Sequence, residues 1–217
     1  MLLDAARDLF MRHGYHGTTI EMITEKAGVS TGTFYLYFSA KSELYKSFQD
    51  EGIDILTRMI AEAIADRSLS TGEKISAAAR AYMDFYRIHK EYFDFIALMV
   101  LEGQDELREQ ESEIARIIDE KTLGILRLIE NIFIEGIRKG ECREIDPFAA
   151  GMVFWAMIDG MILMQERDNL RVAGIDLEKM IQAGLSTLFD GVLTVSSRKT
   201  ASSIDAGEQR KTSRDIL

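Results

Sequence analysis

Three features of the sequence predict an all-α fold. A single proline in 217 residues removes the chief helix breaker, while Leu, Ile, Met and Ala supply good helix formers along the chain. Apolar residues recur at three- and four-residue spacing, the period of a helix with one buried face. Helix caps punctuate these runs where a sheet protein would carry tight turns. About nine helices are expected, as an N-terminal three-helix unit and a larger C-terminal helical domain, and 47% hydrophobic content is enough to bury both cores.

The first helix is predicted from residue 2 or 3 to His13, with Leu3, Ala6 and Phe10 on one face and Gly14 as a left-handed cap. Thr18-Thr19-Ile20-Glu21 reads as a capping box opening a short helix through Lys26, which stops at Ala27-Gly28. Ser30 then caps a third, very short helix ending near Tyr37-Phe38. Two short helices around a glycine-containing turn form a helix-turn-helix, and Ile20, Ile23, Ala27, Val29, Phe34, Phe38 and Leu44 are spaced to pack its core.

Longer helices are predicted over 41–65, 72–89, 92–102, 105–139, 147–166 and 176–194. Gly140 ends the longest of these, Asp146 caps the next with Pro147 at its first position, and Asp176 caps the last. Beyond Leu193 the chain turns rich in Ser, Thr, Lys and Arg, so 196–217 is expected to be a disordered tail. The domains are therefore drawn as 1–48, 49–195 and the tail 196–217.

Composition argues against several classes of protein. The lone Cys142 and the scattered His13, His16 and His89 match no metal-ligand spacing, and neither a metal nor a cofactor is expected. There is no glycine-rich phosphate loop and no serine, histidine and carboxylate set, so an enzyme is not expected. The most apolar run, Phe148 to Met164, carries Asp159 and is short for a bilayer; a soluble cytoplasmic protein that does not insert in a membrane is expected. Net charge is −10, but residues 1–50 hold five basic against six acidic residues and 196–217 hold five against three, leaving −11 on the body between them. An acidic body would let only the near-neutral head approach a polyanion.

The run Gly28-Val29-Ser30-Thr31-Gly32-Thr33-Phe34-Tyr35-Leu36-Tyr37-Phe38-Ser39-Ala40-Lys41-Ser42-Glu43-Leu44 resembles the recognition region of the TetR family of regulators. Ala5-Ala6, Leu9-Phe10, Gly14-Tyr15, Thr18-Thr19-Ile20, Ile23 and Ala27-Gly28 agree with it in order and spacing, so the specific likeness covers residues 2–48. The resemblance implies a homodimeric transcriptional regulator of double-stranded operator DNA, most often a repressor released by a small molecule. The alternative is a TetR-like DNA-binding protein without an effector.

Reading a major groove about 12 Å wide requires small or hydrogen-bonding side chains at the start of the second helix of the motif. Thr31, Gly32, Thr33 and Tyr35 supply them, and by resemblance Thr18 or Thr19, Ser30, Tyr37 and Lys41 hold phosphates. Two departures stand out. Leu36 lies where the family often has a basic or polar residue, and its apolar side chain suits thymine methyls; Ala40 replaces a common capping residue, a role Ser39 can take one position early.

By the same resemblance the later helices hold an effector, and the last two pair across a two-fold axis. Tyr82, Phe85, Tyr86, His89, Tyr92, Phe93, Phe95, Ile96 and Met99 concentrate soft apolar groups, with Phe133, Trp155, Ile158 and Asp159 as candidates to face them around an apolar ligand. Met157, Met161, Met164, Leu185, Leu188 and Phe189 are expected at the dimer interface. The helix from Lys41 is the expected lever between ligand and DNA, with Leu44 and Phe48 packed under the helix-turn-helix.

Overall fold

A computed structural model describes residues 1–97 and 113–197. Among these residues ten helices follow in order: α1 (Leu2–His13), α2 (Ile20–Ala27), α3 (Thr31–Tyr35), α4 (Lys41–Ala63), α5 (Thr71–Ile88), α6 (Lys90–Ala97), α7 (Glu113–Arg138), α8 (Pro147–Glu166), α9 (Asn169–Ala173) and α10 (Leu177–Val192). The all-α expectation holds. The short α9 was not anticipated: Asp168 takes a left-handed conformation (φ 61°) after α8, and Gly174 (φ 69°) closes the extra turn. Residues 98–102 of the helix expected over 92–102, residues 105–112 of that expected over 105–139, and all but the first two residues of the expected tail lie outside the described residues.

Local chemistry sets the helix ends. Asp146 accepts hydrogen bonds from the amides of Phe148 (2.9 Å) and Ala149 (3.1 Å) ahead of α8, and Asp176 accepts from Lys179 (2.8 Å) ahead of α10. The N-cap of α2 is Thr19, whose hydroxyl accepts from the Met22 amide at 3.2 Å, one residue later than the expected box. Ser39 does not cap α4: its amide and hydroxyl both donate to the Glu43 carboxylate at 2.6 Å.

The chain divides into two compact units, Met1–Met59 with Met83–Leu123, and Ile60–Tyr82 with Gly124–Leu217. The first packs Ala6, Leu9, Phe10, Ile23, Phe34, Leu44, Tyr45 and Phe48 into the head expected from sequence, with Ile20 and Phe38 partly buried beside them. Leu3 is exposed, a correction to the expected inner face of α1, and Leu2 takes its place. Phe95 of α6 belongs to the same core: it stacks on Phe48 (4.8 Å between ring centres) and meets Tyr45 edge-on at 5.0 Å. Its carbonyl accepts a buried hydrogen bond from Gln49 Nε2 at 2.8 Å.

Arg7 of α1 reinforces this join. It donates to the Tyr92 hydroxyl at 2.9 Å, lies 5.0 Å from that ring and 5.3 Å from Phe48, and faces Glu51 and Glu91 at 3.6 Å. Burial, and then a hydrogen bond to Glu51, push the Tyr92 phenol up to about 12, so it remains a neutral donor at any working pH. Helix α4 is also tied to α7, because Lys121 sits between Asp50 (2.6 Å) and Asp54 (2.8 Å), one helical turn apart.

In the second unit, α7 and α8 approach closely at Gly151, where an added Cβ would lie 3.6 Å from Ile129. Helices α8 and α10 meet at Gly184, whose missing side chain leaves room for Met157 and Met161. The Glu141 carboxylate caps the start of α5, accepting from the Thr71 amide at 2.7 Å and hydroxyl at 2.6 Å. Nearby Lys74 and Lys139 bracket Glu135 at 2.7 and 2.9 Å and hold its carboxyl down to about 2.

Candidate nucleic-acid interface and effector residues

The turn into α3 is built by Gly28, left-handed at φ 68°, ψ 32°, where a side chain would be strained. Ser30 then caps α3, accepting from the Thr33 amide at 3.2 Å with its hydroxyl 3.0 Å from that of Thr33. Phe34 is wholly buried and Phe38 partly so, which fixes the inner face of the helix. One turn apart on the outer side stand Gly32, Thr33 and Leu36, flanked by Tyr35 and Tyr37.

Three consecutive large side chains stand in solvent there: Tyr35 is 56% exposed, Leu36 81% and Tyr37 69%. A Cβ on Gly32 would meet only Ser30 Oγ, at an ordinary 3.6 Å, so nothing within the protein requires a glycine in this helix. Helix propensity disfavours it by about 1 kcal/mol relative to alanine. The open backbone is useful only to something outside.

Two of the expected phosphate contacts need correction. Thr18 has no exposed surface, and its hydroxyl donates to the Gly14 carbonyl at 2.9 Å, which leaves Thr19 as the accessible member of the pair. Lys41 donates to the carbonyls of Tyr15 (2.7 Å) and Thr18 (2.8 Å) and lies 4.1 Å from the Tyr15 ring centre, bracing the turn between α1 and α2. Ser30, Thr31, Gly32, Thr33, Tyr35 and Tyr37 keep surface facing outward.

The expected effector residues separate into groups. In the second unit Tyr82 stacks on Trp155 (5.0 Å, 25°) and donates a hydrogen bond to Asp159. Burial pushes Asp159 up, opposed by hydrogen bonds from Tyr82 and Trp155; burial, and then Asp159, push the Tyr82 phenol well above its usual value. In the first unit Tyr86 meets Phe93 edge-on at 5.0 Å, His89 lies against Phe85, and Ile96 is half-buried. Phe85, Phe133 and Ile158 have no accessible surface and are core side chains, a correction to their expected lining role. Tyr92 and Phe95 serve the head, and Met99 lies outside the described residues. A cleft of about 210 Å³ opens beside Phe95, lined also by Phe10, Met11, Gly14, Tyr15, Tyr45 and Asp94.

The expected interface residues also divide. Met161 and Leu188 are only 9% and 8% exposed, a correction: both are buried within one chain, Met161 against Gly184 where α8 and α10 pack. Met157, Leu185 and Phe189 are half-buried and Met164 is exposed. The outer side of α8 is a stripe of which only Met164 is expected from sequence: Met152, Val153, Ala156, Gly160 and Met164, all in solvent. No single face stands out in this sequence because α8 is apolar all round.

Residues 2–48 match the family model of bacterial regulatory proteins of the tetR family. The head therefore carries the DNA-binding region of that family. It is 29% identical over 195 residues to the fatty acid metabolism regulator protein of Bacillus subtilis, covering 88% of this chain and 93% of that one. Among solved structures it is similar to the transcriptional regulator FadR of B. subtilis in complex with stearoyl-CoA (25% identity, TM-score 0.65, 86% and 95% coverage). A protein from Rhodococcus shares the fold at 19% identity, with a TM-score of 0.71 and coverage of 89% and 93%. The chain is a DNA-binding transcriptional regulator, and its relatives are named as regulators.

Proposed function

We propose that the chain is a cytoplasmic, homodimeric repressor that holds a palindromic operator through α3 and releases it when a long-chain acyl-CoA binds. Residues 1–48 are the DNA-binding domain and 49–195 the effector-binding and dimerisation domain. The observation carrying the effector class is that likeness to fatty acid regulators runs through nearly the whole chain and is not confined to the head. An acyl chain also suits the apolar and aromatic composition of the later helices.

Thr19, Ser30 and Tyr37 supply phosphate contacts, while Thr31, Gly32, Thr33 and Tyr35 meet base edges. Two copies of the exposed α8 stripe pair around a two-fold axis, joined by the outer side of α10. This removes an apolar patch from water and places two α3 helices on successive major grooves about 34 Å apart. Tyr82, Trp155 and Asp159 give the effector domain its polar contact, since a carboxylate kept in an apolar setting against its desolvation cost is a common mark of a binding site.

Release requires that acyl-CoA favour a conformer whose recognition helices no longer fit the operator. A tenfold preference supplies about 1.4 kcal/mol, and the operator must weaken acyl-CoA binding by the same factor. Phe95 and Arg7, which join α6 to the head, and the lever helix α4 carry that change.

The test is a titration of the operator complex with stearoyl-CoA, with coenzyme A and stearate as separate controls. Stearoyl-CoA should displace the operator at micromolar concentration and coenzyme A alone should not. Asp159→Asn should leave operator affinity intact and shift the stearoyl-CoA midpoint. An operator complex indifferent to stearoyl-CoA would favour the reading without an effector.

A further inference from the structure

The exposed leucine of the recognition helix has no role in folding. Leu36 ends α3 in a right-handed conformation (φ −74°, ψ −22°), its amide donating to the Thr33 carbonyl at 3.3 Å, so the helical face continues through it. That face is the one carrying Gly32 and Thr33, opposite buried Phe34. With 81% of its surface in water, Leu36 has almost no protein packed against it. A single exposed leucine is ordinary, but this one lies between two exposed tyrosines on the surface that meets DNA.

The major groove offers such a side chain one complementary group. Guanine, adenine and cytosine present hydrogen-bond donors and acceptors, which a leucine would strip of water and leave unpaired, whereas thymine presents its C5 methyl. Favourable burial against thymine and an unpaired polar edge elsewhere act in the same direction. Gly32, one turn earlier, lets the backbone come close enough for the contact.

We propose that Leu36 determines sequence preference by reading the C5 methyl of one thymine in each operator half-site. This rests on α3 being the groove-reading helix, as proposed above.

The experiment first selects duplexes from a random pool with the full-length protein. Each thymine of the enriched half-site is then replaced by deoxyuridine, which removes only the methyl. At one position wild-type affinity should fall roughly fourfold per half-site, and about fifteenfold when both are replaced, the scale expected for losing one buried methyl. L36A, a substitution at a solvent-exposed position, should bind both duplexes alike, and 5-methylcytosine at that position should be preferred over cytosine by wild type alone. A deoxyuridine scan with no sensitive position, or one in which L36A loses as much as wild type, overturns the assignment. A pool from which wild type enriches no sequence overturns the α3 reading and the assignment together.

Discussion

Helices α3 and α8 both leave large apolar groups in water, but the company those groups keep differs. On α3 the exposed leucine is flanked by two phenols and stands near the hydroxyls of Ser30 and Thr33. On α8 the exposed Met152, Val153, Ala156, Gly160 and Met164 run for three turns without a polar tip. A face mixing apolar surface with hydroxyls suits a partner that is itself mixed, such as the floor and walls of a DNA groove. The stripe on α8 suits only another apolar surface, and a second copy supplies one.

The largest effect should come from placing charge on the purely apolar face. Val153→Asp with Ala156→Glu should dissociate the dimer at micromolar concentration in sedimentation and weaken palindrome binding by about a thousandfold, roughly 4 kcal/mol, while helical content is unchanged. Met161→Asp should instead lower the melting temperature, because that side chain is buried within one chain. A double mutant that stays dimeric would break the contrast between the two faces.

Much of this contrast could be read from the sequence, though unequally. The head was legible because its motif fixes residue types at fixed spacing: Gly28 must be left-handed, Ser30 must cap and Phe34 must point inward. The inner and outer sides of α8 were not legible, because in a helix apolar all round Met161 and Val153 carry the same signal. Phe95 was misplaced for a related reason. Its neighbours Tyr92, Phe93 and Ile96 look alike in composition, and only tertiary packing sends Phe95 into the aromatic core around Phe48. Lys41 and Thr18 look outward-facing in the sequence, since hydrogen bonds to main-chain carbonyls leave no trace there.

A smaller effect separates the true rim of α3 from its supports. Tyr37→Ala should weaken binding to all duplexes by a similar factor, about ten to a hundred, as expected for losing a hydrogen bond to a charged phosphate of about 1.5–3 kcal/mol. Lys41→Met should lower stability by about 1–3 kcal/mol through the carbonyls it leaves unpaired, with the salt dependence of operator binding unchanged. A salt slope reduced by about one in Lys41→Met would return that lysine to the phosphate contacts.

The smallest effect touches neither face and controls for general stability. Glu135→Gln leaves the largely buried Lys74 without its carboxylate and should lower unfolding free energy by about 1–2 kcal/mol at pH 7. Because the folded carboxyl is depressed to about 2, its contribution is complete above the unfolded value near 4.5 and fades as pH falls toward 2. Denaturation midpoints of wild type and mutant should therefore converge in acid, with operator affinity equal at pH 7.

In the proposed dimer, paired α8 helices hold two α3 helices at a fixed separation for successive major grooves. The most direct test of this arrangement is operator affinity measured while base pairs are inserted one at a time between the half-sites. One optimal spacing is expected, with a steep fall by about five inserted pairs, where the half-sites face opposite sides of the duplex. Affinity that does not vary with spacing would contradict it.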